Sequence, residues 1–147
     1  MSFVMRVVFD TSTLVSAALR VHSIPHHSFT HALSIAEICV CTTTLAELDE
    51  VLMRSKFDRY QPIQTRQEFS SFVRLRATWF DVSESQISGV NPSCRDTKDN
   101  QFLALSQACA ATALVSSDAD LLVLHPWHGI PILTPAAFLQ TKTHEPA

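Results

Sequence analysis

The sequence predicts an α/β fold of three layers, α/β/α, with helices on both faces of a central, mainly parallel sheet. Brief apolar runs alternate with segments whose apolar residues recur at helical spacing, as where Val7-Val8-Phe9 gives way to Leu14, Val15, Ala18 and Leu19. Several of these runs are apolar throughout rather than alternating, the pattern of strands buried on both faces between helical layers. No repeat or linker divides the 147 residues. One domain over 1–140 and a flexible tail over 141–147 are expected, with roughly 68–70% of the unfolded surface buried in a chain of this size.

The elements follow in order. Val4 to Phe9 reads as a strand that stops at Asp10-Thr11-Ser12-Thr13, a cluster suited to starting a helix. A second helix is expected over His27 to Ile35, then a strand over Glu37 to Cys41 and a helix from Leu45 to Met53 whose Leu45, Leu48, Val51 and Leu52 share one side. Phe57, Tyr60 and Pro62 mark a connection. Phe69, Phe72, Val73 and Trp79 suggest a further helical segment, with Phe80 to Val82 a short strand. Ser83 to Arg95, with Gly89 and Pro92, reads as loop. A helix over Asp99 to Ala110 precedes the strand Ala113-Leu114-Val115, then a short helix over Leu121 to Leu124, a strand over Ile130 to Leu133, and a last helix that Pro135 can open.

Bulk properties narrow the function. The formal charge of −3 argues against a protein that grips nucleic acid over its whole surface, but not against a local site. The basic residues Arg54, Lys56, Arg59, Arg66, Arg74 and Arg76 read first as a solvated face. Cys39, Cys41, Cys94 and Cys109 show no C-x-x-C spacing and fit reduced thiols. The start of the chain lacks a signal-peptide pattern, and no apolar run approaches about 20 residues, so a cytoplasmic protein is expected, with no membrane segment. Histidines at 22, 26, 27 and 31 lack the acid or cysteine that would complete a zinc set. With only two glycines there is no glycine-rich phosphate loop.

The informative residues are acids where strands end or helices begin: Asp10, Glu47, Asp96, Asp99, Asp118 and Asp120. Each has a structural explanation as well. Asp10 can cap the helix that follows it. Thr44-x-x-Glu47 has capping-box spacing, although Glu47 also borders the apolar face. Asp96 and Asp99 suit a helix start. In a parallel sheet, however, these positions share the carboxyl edge where ligands bind. A carboxylate leaving a buried strand is costly unless paired, hydrogen-bonded or bound to a cation. Oxygen donors without His or Cys suit Mg²⁺ or Mn²⁺ better than Zn²⁺. Asp10, Glu47, Asp99 and Asp118 form the expected centre, Asp96 and Asp120 its supports, and Asp49 and Glu50 surface residues.

Taken in order, five segments resemble the PIN-domain family of metal-dependent ribonucleases, in particular bacterial VapC-like toxins of toxin–antitoxin pairs. They are Val7-Val8-Phe9-Asp10-Thr11-Ser12, Leu45-Ala46-Glu47-Leu48, Asp96-Thr97-Lys98-Asp99-Asn100-Gln101-Phe102-Leu103, Leu114-Val115-Ser116-Ser117-Asp118-Ala119-Asp120 and Ile132-Leu133-Thr134-Pro135. The resemblance implies a PIN-like fold and catalytic, metal-binding roles for Asp10, Glu47, Asp99 and Asp118. It also implies a single-stranded RNA substrate, an antitoxin partner and a homodimer. Ser12 and Ser116 are candidates for orienting the acids. The chain departs from the family at Ser12, where Asn is usual, at Asn100, where an additional acid is common, and at Ser117, where Gly is frequent. An aspartyl phosphatase is a rival reading of Asp10, but that chemistry needs a second Asp where Ser12 stands. The other rival is a catalytically impaired PIN-fold module that binds RNA or a protein.

Overall fold

The structure is a computed structural model that describes residues 4–141. Five parallel strands form one sheet in the order β3-β2-β1-β4-β5: β1 (Arg6–Phe9), β2 (Glu37–Val40), β3 (Thr78–Trp79), β4 (Ala113–Val115) and β5 (Ile132–Leu133). The helices are α1 (Thr11–Leu19), α2 (Ile24–Ile35), α3 (Thr42–Leu52), α4 (Ile63–Arg76), α5 (Glu84–Ser88), α6 (Asn100–Ala108), α7 (Ala119–Leu122) and α8 (Pro135–Phe138). The part of the expected tail beyond Thr141 lies outside the described residues.

Burial on both faces explains the unbroken apolar strands. Val7 and Phe9 of β1 pack with Ile38, Val40, Ala113 and Val115 against α1 to α4 and α8, where Leu14, Phe29, Leu48, Val73 and Phe138 complete one core. Val8, Cys39 and Leu114 point the other way, onto Phe102, Leu103 and Leu105 of α6, with Leu121 and Trp127. The expected three layers are therefore present.

Strand order reverses direction around β1. The chain moves outward from β1 through β2 to β3, then returns to place β4 on β1's other side, with Val7 opposite Ala113 and Phe9 opposite Val115. The crevice beyond the carboxyl ends of β1 and β4 is thus the topological switch point, the binding position in open parallel sheets.

Several boundaries differ from the sequence reading. Helix α2 begins at Ile24 rather than His27 because Ser23 caps it, its Oγ accepting from His26 N at 3.2 Å, and Pro25 falls in the first turn, where no intrahelical donor is lost. The third strand is Thr78–Trp79 rather than Phe80–Val82; its ladder to β2 ends as Phe80 N donates to Val40 O at 2.9 Å. Within the expected loop from Ser83, α5 forms on a capping box: Ser83 N donates to Gln86 Oε1 at 2.7 Å, and Gln86 N donates back to Ser83 Oγ at 3.1 Å. Helix α7 starts two residues earlier than expected, at Ala119, and β5 starts at Ile132.

Candidate active site at the carboxyl edge of the sheet

Asp10 leaves β1 almost fully buried, at 4% exposure. Its Oδ1 caps α1 by accepting from Thr13 N at 3.0 Å, and its Oδ2 accepts from Ser116 Oγ at 2.5 Å. Ser116, the first residue beyond β4, is fully buried, and its Oγ also accepts from Asp118 N at 2.9 Å. Adjacent strand ends are thereby tied together, and one hydroxyl orients both Asp10 and the start of the Asp118 turn. Asp118 caps α7 through Oδ1, which accepts from Asp120 N at 2.8 Å. Ser12 is exposed, and its Oγ is 3.5 Å from Asp10 Oδ1, a marginal contact that fits its short reach.

Asp99 ends a single 3-10 turn, Thr97–Asp99, immediately before α6, with its carboxyl close to that of Asp118. Burial, the Asp118 contact and charge, and then the charges of Asp96 and Asp10 push the Asp99 carboxyl up to about 7. Burial also raises the Asp10 carboxyl above its ordinary range, opposed by its bonds from Ser116 and Thr13, with the charge of Asp118 adding to the rise. Cys94 faces the same cluster: burial raises its thiol, as do the charges of Asp99, Asp118 and Asp120. Asp10, Asp99 and Asp118 are therefore brought together, with Asp96 and Asp120 on the periphery. Asp96 is exposed and caps the 3-10 turn, accepting from Lys98 N at 3.1 Å.

Glu47 is linked to this group at one remove. Thr44 is not the cap of α3. Cys41 holds that position, and Thr44 Oγ1 accepts from Cys41 N at 3.0 Å, so Glu47 is released from the capping box its spacing suggested. Its Oε2 accepts instead from Gln101 Nε2 at 2.6 Å, and the same amide donates to Lys98 O at 3.1 Å. Gln101 is thus a further site residue, overlooked in the sequence because a polar residue early in a helix carries no distinctive signal. Asn100 does not occupy an acid's place in the cluster. It is buried, accepts from Cys94 N at 2.8 Å and donates to Ser93 Oγ at 2.9 Å, and so pins the loop ahead of Asp96.

Asp49 is part-exposed, as a surface residue is, but it is not free. It accepts from Ser70 and pairs with Arg74, fastening α3 to α4. Glu50 does form the expected exposed pair with Arg54, at 3.6 Å.

Among the described residues, no three His, Cys, Asp or Glu side chains are arranged so as to hold a metal ion. The acids form a charge cluster rather than a finished coordination shell. Their chemistry still fits a hard divalent cation. Every donor is oxygen, and two carboxylates in contact, as Asp99 and Asp118 are, need a proton or a cation between them to be stable.

A family model described as PIN domain matches residues 6–120. A comparison with curated proteins finds no match. Among solved structures, PAE2754 from Pyrobaculum aerophilum is similar at a TM-score of 0.66 and 14% identity, covering 92% of this chain and 93% of that one. A chain of VapBC2 from Rickettsia felis, bound to a DNA fragment from its promoter, is similar at 0.64 and 15% identity, covering 88% and 98%. VapC20 of Mycobacterium tuberculosis, a toxin that cleaves the sarcin-ricin loop, is similar at 0.58 and 12% identity, covering 81% and 95%. At these identities the likeness is one of fold. Among the described residues no helix is long and apolar enough to cross a membrane.

Proposed function

Because the chain belongs to the PIN-domain family, whose members are generally nucleases, we propose that it is a metal-dependent endoribonuclease. In this reading it hydrolyses phosphodiester bonds of single-stranded RNA in the cytoplasm, as the toxin of a toxin–antitoxin pair. The observation that carries it is the convergence of Asp10, Asp99 and Asp118 at the switch point between β1 and β4. Asp10, Asp99 and Asp118 would hold Mg²⁺ or Mn²⁺, with Glu47 as a further ligand or the holder of a water, and Asp96 and Asp120 as outer acids. A bound ion supplies activation of water for in-line attack on phosphorus and neutralises charge on the leaving oxygen. Ser116 orients Asp10, Gln101 orients Glu47, and Ser12 contributes a weaker contact to Asp10. Partners follow from the same resemblance: an inhibitory antitoxin and a second copy of the chain.

The catalytically impaired module is the second reading, favoured by two observations. Asn100 is committed to holding a loop, and the acids do not stand as a completed metal shell. Cleavage of a mixed RNA pool with Mg²⁺ or Mn²⁺ separates the two. The nuclease reading expects activity in the wild type and its loss in Asp10→Asn and Asp99→Asn prepared identically. Equal activity in all three would mean a contaminating enzyme, and metal binding without cleavage would favour the impaired module.

A further inference from the structure

A cleft of about 440 Å³ lies along α1 and starts at Ser12, whose Oγ is 3.5 Å from Asp10 Oδ1. Its floor is one face of α1, Ser12, Val15 and Leu19, and its far wall is Val51, Phe57 and Tyr60. Ser12 sits at the end nearest Asp10, and Val51 lies one helical turn beyond Glu47, so the cleft runs about 10 Å along α1 away from the acids. At its outer end Tyr60 is 42% exposed, with the guanidinium of Arg20 at 5.5 Å and that of Arg59 at 5.2 Å from its ring centre. Lys56 lies 5.1 Å over Phe57. Among the described residues, Arg20, Lys56 and Arg59 have no acid within ion-pair distance, in a chain whose net charge is −3.

This platform is held in place. Buried Arg66 donates to Gln61 O at 3.1 Å and Arg54 O at 3.2 Å, on either side of the 55–60 turn, while Gln61 Nε2 reaches Leu19 O at 3.4 Å. An apolar floor, a part-exposed aromatic ring and cations without an acidic partner are the parts of a single-strand nucleic-acid subsite, in which bases stack on rings or guanidinium planes and phosphates meet the charges. We propose that Tyr60, Arg20 and Arg59 bind the RNA nucleotides that flank the scissile phosphodiester and so deliver the strand to the acids. The inference rests on the nuclease reading for its substrate, but concerns residues outside the acidic centre.

The test is binding of a fluorescein-labelled single-stranded RNA of mixed sequence, followed by anisotropy in EDTA, with thermal unfolding as the control for fold. Tyr60→Ala is expected to weaken binding on the order of tenfold or more, the effect of losing one stacked base. Tyr60→Phe should bind as the wild type does. The double variant Arg20→Ala/Arg59→Ala should bind more weakly and with a shallower dependence on salt. Unchanged affinity in folded Tyr60→Ala and in the double variant would overturn the subsite while leaving a wild-type nuclease intact. Weakened binding in the variants of a chain that never cleaves RNA would support the subsite and reject the nuclease reading. Retained RNA affinity with an altered oligomeric state would make the cleft a protein contact and overturn the assignment to RNA.

Discussion

Replacing Asp99 by Asn tests whether the clustered carboxylates repel one another in the metal-free chain. The Asp99 carboxyl is held at about 7 against an ordinary 3.8 by burial and by Asp118, Asp96 and Asp10. The folded chain therefore keeps this proton to higher pH than the unfolded chain does. Between about pH 4 and pH 7 it binds more protons than the unfolded state, so stability falls as pH rises through that window, and the loss is complete above it. A difference of roughly three pH units corresponds to about 4 kcal/mol at most. Asp99 is half-exposed, and solvent screening reduces the effective cost to about 1–2 kcal/mol. Asn keeps the shape and cannot ionise. In EDTA at pH 8, Asp99→Asn should melt higher than the wild type by about 2–8 °C for a chain of this length, and the gap should close as pH falls toward 4. Magnesium should reverse the order, since a ligand present at about 100 times its Kd stabilises the wild type by about 2.7 kcal/mol and the variant has lost a ligand. Thermal unfolding followed by circular dichroism, with EDTA and with Mg²⁺ from pH 5 to 8, reads both effects. A variant less stable than the wild type in EDTA at pH 8 would refute the repulsion, and an order unchanged by Mg²⁺ would refute the metal centre.

Three further outcomes follow from the same contacts. Ser116→Ala removes the donor to Asp10 Oδ2 and the acceptor of Asp118 N. It should lower RNA cleavage by about 10–100-fold while the chain still folds, measured as a Mg²⁺ titration of rate. Asn100→Asp supplies the acid common in the family but loses the amide donor to Ser93 and buries a charge; it should cost about 1–3 kcal/mol in urea unfolding without raising activity. Arg66→Met strips donors from Leu52 O at 2.5 Å, Gln61 O at 3.1 Å and Arg54 O at 3.2 Å. About 3 kcal/mol of destabilisation in urea is expected, because these carbonyls, two at the end of α3 and one just before α4, lose a buried charged partner.

Strand ends were the legible part of this site. Val7-Val8-Phe9 and Ala113-Leu114-Val115 are short and continuously apolar, the pattern of central strands, and the acids that follow them inherit a position at the sheet's carboxyl edge. What the sequence did not disclose depended on side-chain partners instead. Arg66 reads as an ordinary surface cation until Leu52, Arg54 and Gln61 turn their carbonyls toward it. Asp49 gives no sign of reaching Ser70 and Arg74, because an i,i+4 pattern describes one helix and not its neighbour. Thr44-x-x-Glu47 misleads for the opposite reason: the spacing is right, but the cap sits one turn earlier, at Cys41.

Capping and charge clustering were competing explanations of Asp10 and Asp118 in the sequence, and the geometry makes them complementary. Each carboxylate has two oxygens with two lone pairs apiece. Asp10 spends one acceptor direction on Thr13 N, and Asp118 spends one on Asp120 N. These bonds fix where each carboxylate stands without exhausting it, since Asp10 still meets Ser116 and Asp118 still meets Asp99. The cap on Asp118 uses Oδ1 and leaves its other oxygen for the crevice, while the second oxygen of Asp10 is held by Ser116. The two helix starts that follow β1 and β4 are thus what aims the acids at each other, and substitutions that weaken either cap should disperse the cluster before they unfold the sheet.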